Sequence, residues 1–80
     1  MSTIIRCRRR SSPRDVSYMR LFPAVRGGVH CIGRQFVLYK ASATAFKHRE
    51  VAEAELKRLL ADPSERHDEY TYDLIDGGVA

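Results

Sequence analysis

Gly27-Gly28 is the feature that most limits what this chain can become. Paired glycines between two runs of strand-forming residues supply the positive φ angles that a tight hairpin turn needs. The run before them is Val16-Ser17-Tyr18-Met19-Arg20-Leu21-Phe22-Pro23-Ala24-Val25. Alternation puts Met19, Leu21 and Val25 on one face and Tyr18, Arg20 and Phe22 on the other. Pro23 confines this strand to an edge or a bulge. The run after them, Val29 to Lys40, reads as one strand bent by a bulge at Gly33, with two short strands around Gly33-Arg34 as the alternative.

Periodicity then changes from two to 3.6. Ala45, Ala52, Leu56, Leu59 and Leu60, with Val51 beside them, form an apolar stripe on a helix over residues 45–61. Ser42 or Thr44 is its expected cap. Glu53 and Lys57 are set for an i,i+4 pair, and Asp62-Pro63-Ser64 stops the helix. Tyr70, Tyr72 and Leu74 alternate with Thr71, Asp73 and Ile75, giving a final strand over residues 69–76 that ends at Asp76-Gly77-Gly78. Residues 1–15 read as a basic arm or an edge strand, broken at Arg8-Arg9-Arg10-Ser11-Ser12-Pro13. Residues 16–40 hold antiparallel strands. The expected fold is α+β: a small antiparallel sheet of three to four strands, in the order β-β-β-α-β, with one amphipathic helix packed on one face. Eighty residues make a single domain, 1–80.

Charge divides along the chain. Residues 1–40 hold nine Lys and Arg against Asp15 alone, and residues 41–80 hold five against nine acids. A net charge of +4 therefore covers a first half of +8 and a second half of −4. This predicts two surfaces of opposite sign. Arginines interleaved with Tyr18, Phe22, Phe36 and Tyr39 have the chemistry to hold phosphates and stack on bases. Arg8, Arg9, Arg10, Arg20 and Arg34 are the candidate basic contact face. Glu65, Asp68, Glu69 and Asp73 are the alternative, an acidic end suited to a basic protein surface. Solvated strand and helix faces account for the same charges without a partner.

No catalytic set emerges, and the chain is read as no enzyme. The serines lack a nucleophile-elbow frame. The carboxylate pairs Asp68-Glu69 and Glu53/Glu55 read as solvated charge, and Gly27-Gly28 and Gly33 are too short a pattern for a phosphate cradle. His30, Cys31, His48 and His67 lack the paired spacing of a metal site, so neither metal nor cofactor is expected. Cys7 and Cys31 are expected as free thiols packed on strands, or as a disulfide if those strands pair. No apolar run approaches the ~18 residues of a membrane span. The charged beginning at Arg6 is unlike a signal peptide, so the expected location is the cytoplasm.

Two resemblances add to this. The stretch Phe46-Lys47-His48-Arg49-Glu50-Val51-Ala52-Glu53-Ala54-Glu55-Leu56, following glycine-punctuated strands with Tyr18 and Arg20, resembles AP2-like arm-type DNA-binding domains of phage integrases. It covers about residues 17–60 and implies a three-stranded sheet that enters a DNA groove. The acidic closing strand departs from that family, which ends with its helix. In size, order of elements and patterned charge, the whole chain is similar to small anti-CRISPR proteins of phages and mobile elements. That likeness implies an inhibitor that binds a Cas effector and blocks target-DNA recognition. The leading expectation is thus a non-enzymatic binding protein acting on a nucleic-acid-handling complex. The alternatives are a DNA- or RNA-binding module using the basic sheet face, and a homodimeric structural or adaptor protein.

Overall fold

A computed structural model describes residues 2–77 of the chain; Gly78 of the expected terminal turn lies outside them. The strands are β1 (Thr3–Arg9), β2 (Ser12–Arg26), β3 (Val29–Val37) and β4 (Tyr70–Asp76), with helix α1 (Arg49–Ala61) between β3 and β4. They form one antiparallel sheet in the spatial order β3-β2-β1-β4. The α+β fold and its β-β-β-α-β order are those the alternation and periodicity predict.

The first strand is the largest departure. β1 is neither an arm nor an edge: it lies between β2 and β4, with Ile4 and Ile5 both buried. Neighbouring residues point to opposite faces, so burial of both means that this strand is sheltered on each side of the sheet. The three consecutive arginines obscure that pattern, because Arg9 and Arg10 already belong to the exposed hairpin end. A register shift between Arg8 and Arg9 takes up the Pro13 region at that end.

Gly27 and Gly28 form the expected turn, with φ of 57° and 80°. Gly33 makes no bulge: pairing runs unbroken from Tyr18↔Val37 to Arg26↔Val29. Its lack of a side chain is explained by Phe22, directly opposite, whose ring lies 2.5 Å from where a Cβ would sit. Pro23 occurs in a central strand, yet β2 extends past the residues that pair with β1. In that overhang β2 has one strand neighbour, an edge-like setting where proline is tolerated.

The helix begins four residues later than its apolar stripe predicts, with His48 as N-cap and no side-chain cap bond. Sheet pairing claims the preceding residues. Thr44 donates its N–H to the Met19 carbonyl at 3.0 Å, and its hydroxyl accepts the Leu21 N–H at 2.7 Å. Phe46 exchanges backbone hydrogen bonds with Thr3 at 2.8 and 2.9 Å. Thr44 therefore continues the sheet beside β2 instead of capping α1. Ile5, Met19, Phe46, Ala52 and Leu59 make the core, flanked by Leu21, Phe36, Leu56, Tyr72 and Leu74. Val51 and Leu60 remain half exposed, and Ala45 lies outside the helix. Glu53 pairs with Arg49 at 3.2 Å, not with Lys57.

Cys7 and Cys31 are free. They lie on β1 and β3, and β2 separates those strands, so the pairing that a disulfide requires is not made.

Candidate binding face of the sheet

Ile5, Met19, Phe36, Tyr72 and Leu74 lie on the side of the sheet that packs on α1. By strand parity the alternate residues compose the opposite face, hereafter the open face, outside the core cluster that α1 covers and with Ile4 buried within it. Across it run rows set by strand register: Thr71, Arg8 and Val16; then Asp73, Arg6, Tyr18 and Val37; then Arg20 with Gln35; then Phe22 with Gly33. Arg26 ends β2 on the same face.

The predicted basic residues divide between the two sides. Arg8 and Arg20 stand on the open face. Arg8 approaches Asp73 at 3.5 Å, and Arg20 donates to the Gln35 side-chain oxygen at 3.4 Å. Arg9 lies over the Tyr70 ring at 5.7 Å and donates to its hydroxyl at 3.2 Å. Arg10 donates to the His67 carbonyl at 3.2 Å. Arg34 is on the other side, beneath the helix end. It meets Asp62 at 2.9 Å, Glu65 at 3.1 Å and Glu55 at 3.7 Å, and its side chain is 16% exposed.

The acidic residues do not form one surface either. Glu65 turns inward to Arg34. Asp73 crosses to the open face, where Arg6 holds it through two hydrogen bonds and Arg8 stands by. Burial raises the Asp73 carboxyl pKa, but the bonds and charge of Arg6 with the charge of Arg8 outweigh it, and the net shift is downward. Glu69 pairs with Arg66 at 3.4 Å, and Asp68 is exposed with no ion pair among the described residues. Asp62 is pulled down to about 2, first by hydrogen bonds from the Ser64 hydroxyl and backbone N–H and then by Arg34.

Sequence reading missed Arg6, Gln35 and Arg26 as members of the open face. Parity would have found Arg6, since it alternates with the apolar Ile5 and Cys7. Among the described residues, Arg10, Arg14, Arg20 and Arg26 meet no carboxylate. Two of these, Arg20 and Arg26, share the open face of β2 with the half-buried rings of Tyr18 and Phe22. Positive charge beside aromatic rings on a flat sheet can hold a phosphate chain and stack its bases.

The helix side offers little chemistry. Cys7 lines a cavity of about 310 Å³ with Ser17, Phe36 and Tyr72. Burial pushes the Cys7 thiol up, holding it protonated and a poor nucleophile at neutral pH. Burial likewise drives the Tyr72 hydroxyl to about 12. His67 donates its Nε2–H to the Asp62 carbonyl at 2.8 Å. No group of three metal-binding side chains gathers among the described residues, and no helix is long and apolar enough to cross a membrane. Set against family models, curated proteins and solved structures, the chain matches none of them.

Proposed function

We propose that this chain is a non-enzymatic binding protein whose working surface is the open sheet face, and that this face holds single-stranded nucleic acid. One observation carries the reading: Arg20 and Arg26, which meet no carboxylate among the described residues, line up on β2 with Tyr18 and Phe22 on the face opposite the core cluster. Such a face binds without strong sequence preference, through charge along the backbone and stacking on the rings. Fluorescence anisotropy with labelled single-stranded and duplex oligonucleotides tests it. Binding is expected at low salt, strongest for single strands and falling steeply as salt rises. The double variant Arg20→Glu, Arg26→Glu removes it, while retaining the far-UV spectrum of the fold. No binding at low salt ends this reading.

A second reading keeps the same face but gives it a protein partner. Asp73 places a carboxylate within the arginine rows, and a carboxylate repels a phosphate chain. A mixed-charge face suits a protein surface, such as the nucleic-acid channel of a Cas effector, and the chain would then act as a cytoplasmic inhibitor of the anti-CRISPR kind. Capture of a purified Cas complex after nuclease treatment, lost in Asp73→Arg, supports this second reading. Capture that disappears with the nucleic acid supports the first.

A further inference from the structure

The two outer strands of the sheet are guarded unequally. β4 carries Asp73 and Asp76 and follows Asp68-Glu69. Charge along an edge discourages a further strand from pairing there. β3 carries one full charge, Arg34, and three carboxylates draw it under the helix end. β2 is its sole strand neighbour among the described residues. Among the described residues, no loop or turn backbone hydrogen bond involves residues 29–37. The outward N–H and C=O groups of a nine-residue strand are thus open to pairing.

Exposed apolar side chains follow the same edge. Val25, Val29, Ile32, Leu38 and Tyr39 are 61% to 76% exposed, and all five lie at the β2–β3 tip, on β3, or just after it. Among the described residues, the remaining two large exposed apolar residues, Val51 and Leu60, are on the helix. Leaving a row of unpaired backbone groups beside apolar residues uncovered is unfavourable, and another β-strand satisfies both.

We propose that β3 pairs antiparallel with β3 of a second copy, joining two sheets into one of eight strands. The sequence of β3 is compatible with its own reverse about Gly33. A two-fold axis there sets Val29 opposite Val37, His30 opposite Phe36, and Ile32 opposite the Arg34 stem, with no like charges facing. Glycine at the axis presents no side chain to its twin, and Phe22 of each copy roofs it. The axis stands perpendicular to the sheet, as isologous antiparallel pairing requires. Both helices then lie on one side, and the two open faces become one continuous surface. An eighty-residue domain buries a modest core, and a partner subunit is a common remedy. The pairing does not depend on what the open face binds.

Sedimentation velocity of the full chain from about 5 to about 200 µM provides the test, since dimer population follows mass action. The mass should rise from 9.1 kDa toward twice that value. Ile32→Lys should raise the dissociation constant roughly tenfold or more, because two copies of the charge meet the seam. Val51→Lys on the helix should leave it unchanged. Added salt should strengthen the dimer by screening two chains of +4 each, the reverse of its effect on oligonucleotide binding. If Ile32→Lys fails to fold, amide exchange of the unmodified chain decides. β3 amides should slow with rising concentration while β4 amides do not. A 9.1 kDa species throughout the range overturns the proposal, as does a dimer in which β4 is the protected edge.

Discussion

On the helix side of the sheet, Arg34 is ringed by Glu55, Asp62 and Glu65; on the open side, Arg20 donates to the neutral Gln35 and meets no carboxylate among the described residues. Both residues occupy adjacent strands, paired one step apart in register. The difference shows how local geometry converts a charge count into a surface. Nearly all the acids come from the second half of the sequence, and several are spent on holding the helix end to β3. Arg6, Arg8, Arg20 and Arg26 of the first half are left on the opposite face. Two oppositely charged halves of sequence thus become one cross-linked side and one cationic side.

Removing core from the helix side should have the largest effect. Ile5→Ala opens a cavity beneath α1 and should cost about 2–5 kcal/mol. That is a large part of the roughly 0.05–0.15 kcal/mol per residue that a domain holds in reserve. Urea titration followed by circular dichroism measures it, and a cost below about 1 kcal/mol would mean the helix is not the main cover of the sheet. Arg34→Ala comes next, at about 2 kcal/mol, because it leaves three carboxylates crowded together in partial burial. The variant should also be the one whose stability improves when acid neutralises those groups.

Acid titration of the unmodified chain reads a smaller part of the same cluster. The Asp62 carboxyl, ordinarily 3.8, lies near 2 in the folded chain. A depressed folded value contributes stability that is complete above about pH 4 and disappears as pH falls through about 2. Asp62→Asn should therefore flatten the stability profile across that window, and an unchanged profile would mean that the Ser64 hydrogen bonds and Arg34 do not favour the charged carboxylate. Least affected should be Arg20→Ala, whose melting should shift by the equivalent of under about 0.5 kcal/mol. Its consequence belongs to binding instead. A large stability loss from Arg20→Ala would erase the contrast between the two faces.

The parts of this fold that were legible in the sequence are those governed by neighbours in the chain. Gly27-Gly28 fixed its turn through backbone freedom at two adjacent positions, Asp62-Pro63-Ser64 stopped the helix, and alternation located β4 within a residue. What escaped depends on distant partners. β1 looked like an arm because its second neighbour, β4, follows about 67 residues later. Thr44 looked like a helix cap, yet backbone groups of β2 claimed it. Gly33 looked like a bulge, since nothing local reveals a ring arriving from Phe22. The site follows the same rule. Arg8 and Arg20 could be placed by strand parity, whereas the role of Arg34 rests on carboxylates 21 to 31 positions away, among them Asp62 and Glu65 at 28 and 31.

The central position of β1 bears on how the molecule is made. A ribosome emits β1 first of the four strands and β4 last, yet these two pair along their whole length, from Thr3↔Asp76 to Arg9↔Tyr70. Through most of translation the hairpins of β1, β2 and β3 can form, but Ile4, Ile5 and Cys7 remain without half their cover. The sheet closes in one late event, after the last strand leaves the exit tunnel. Closing a loop that spans most of the chain makes that event slow relative to the local hairpins. A nascent chain stalled before Tyr70 would therefore display Ile4, Ile5 and Cys7, the buried residues of β1, and would be the form that chaperones and proteases recognise.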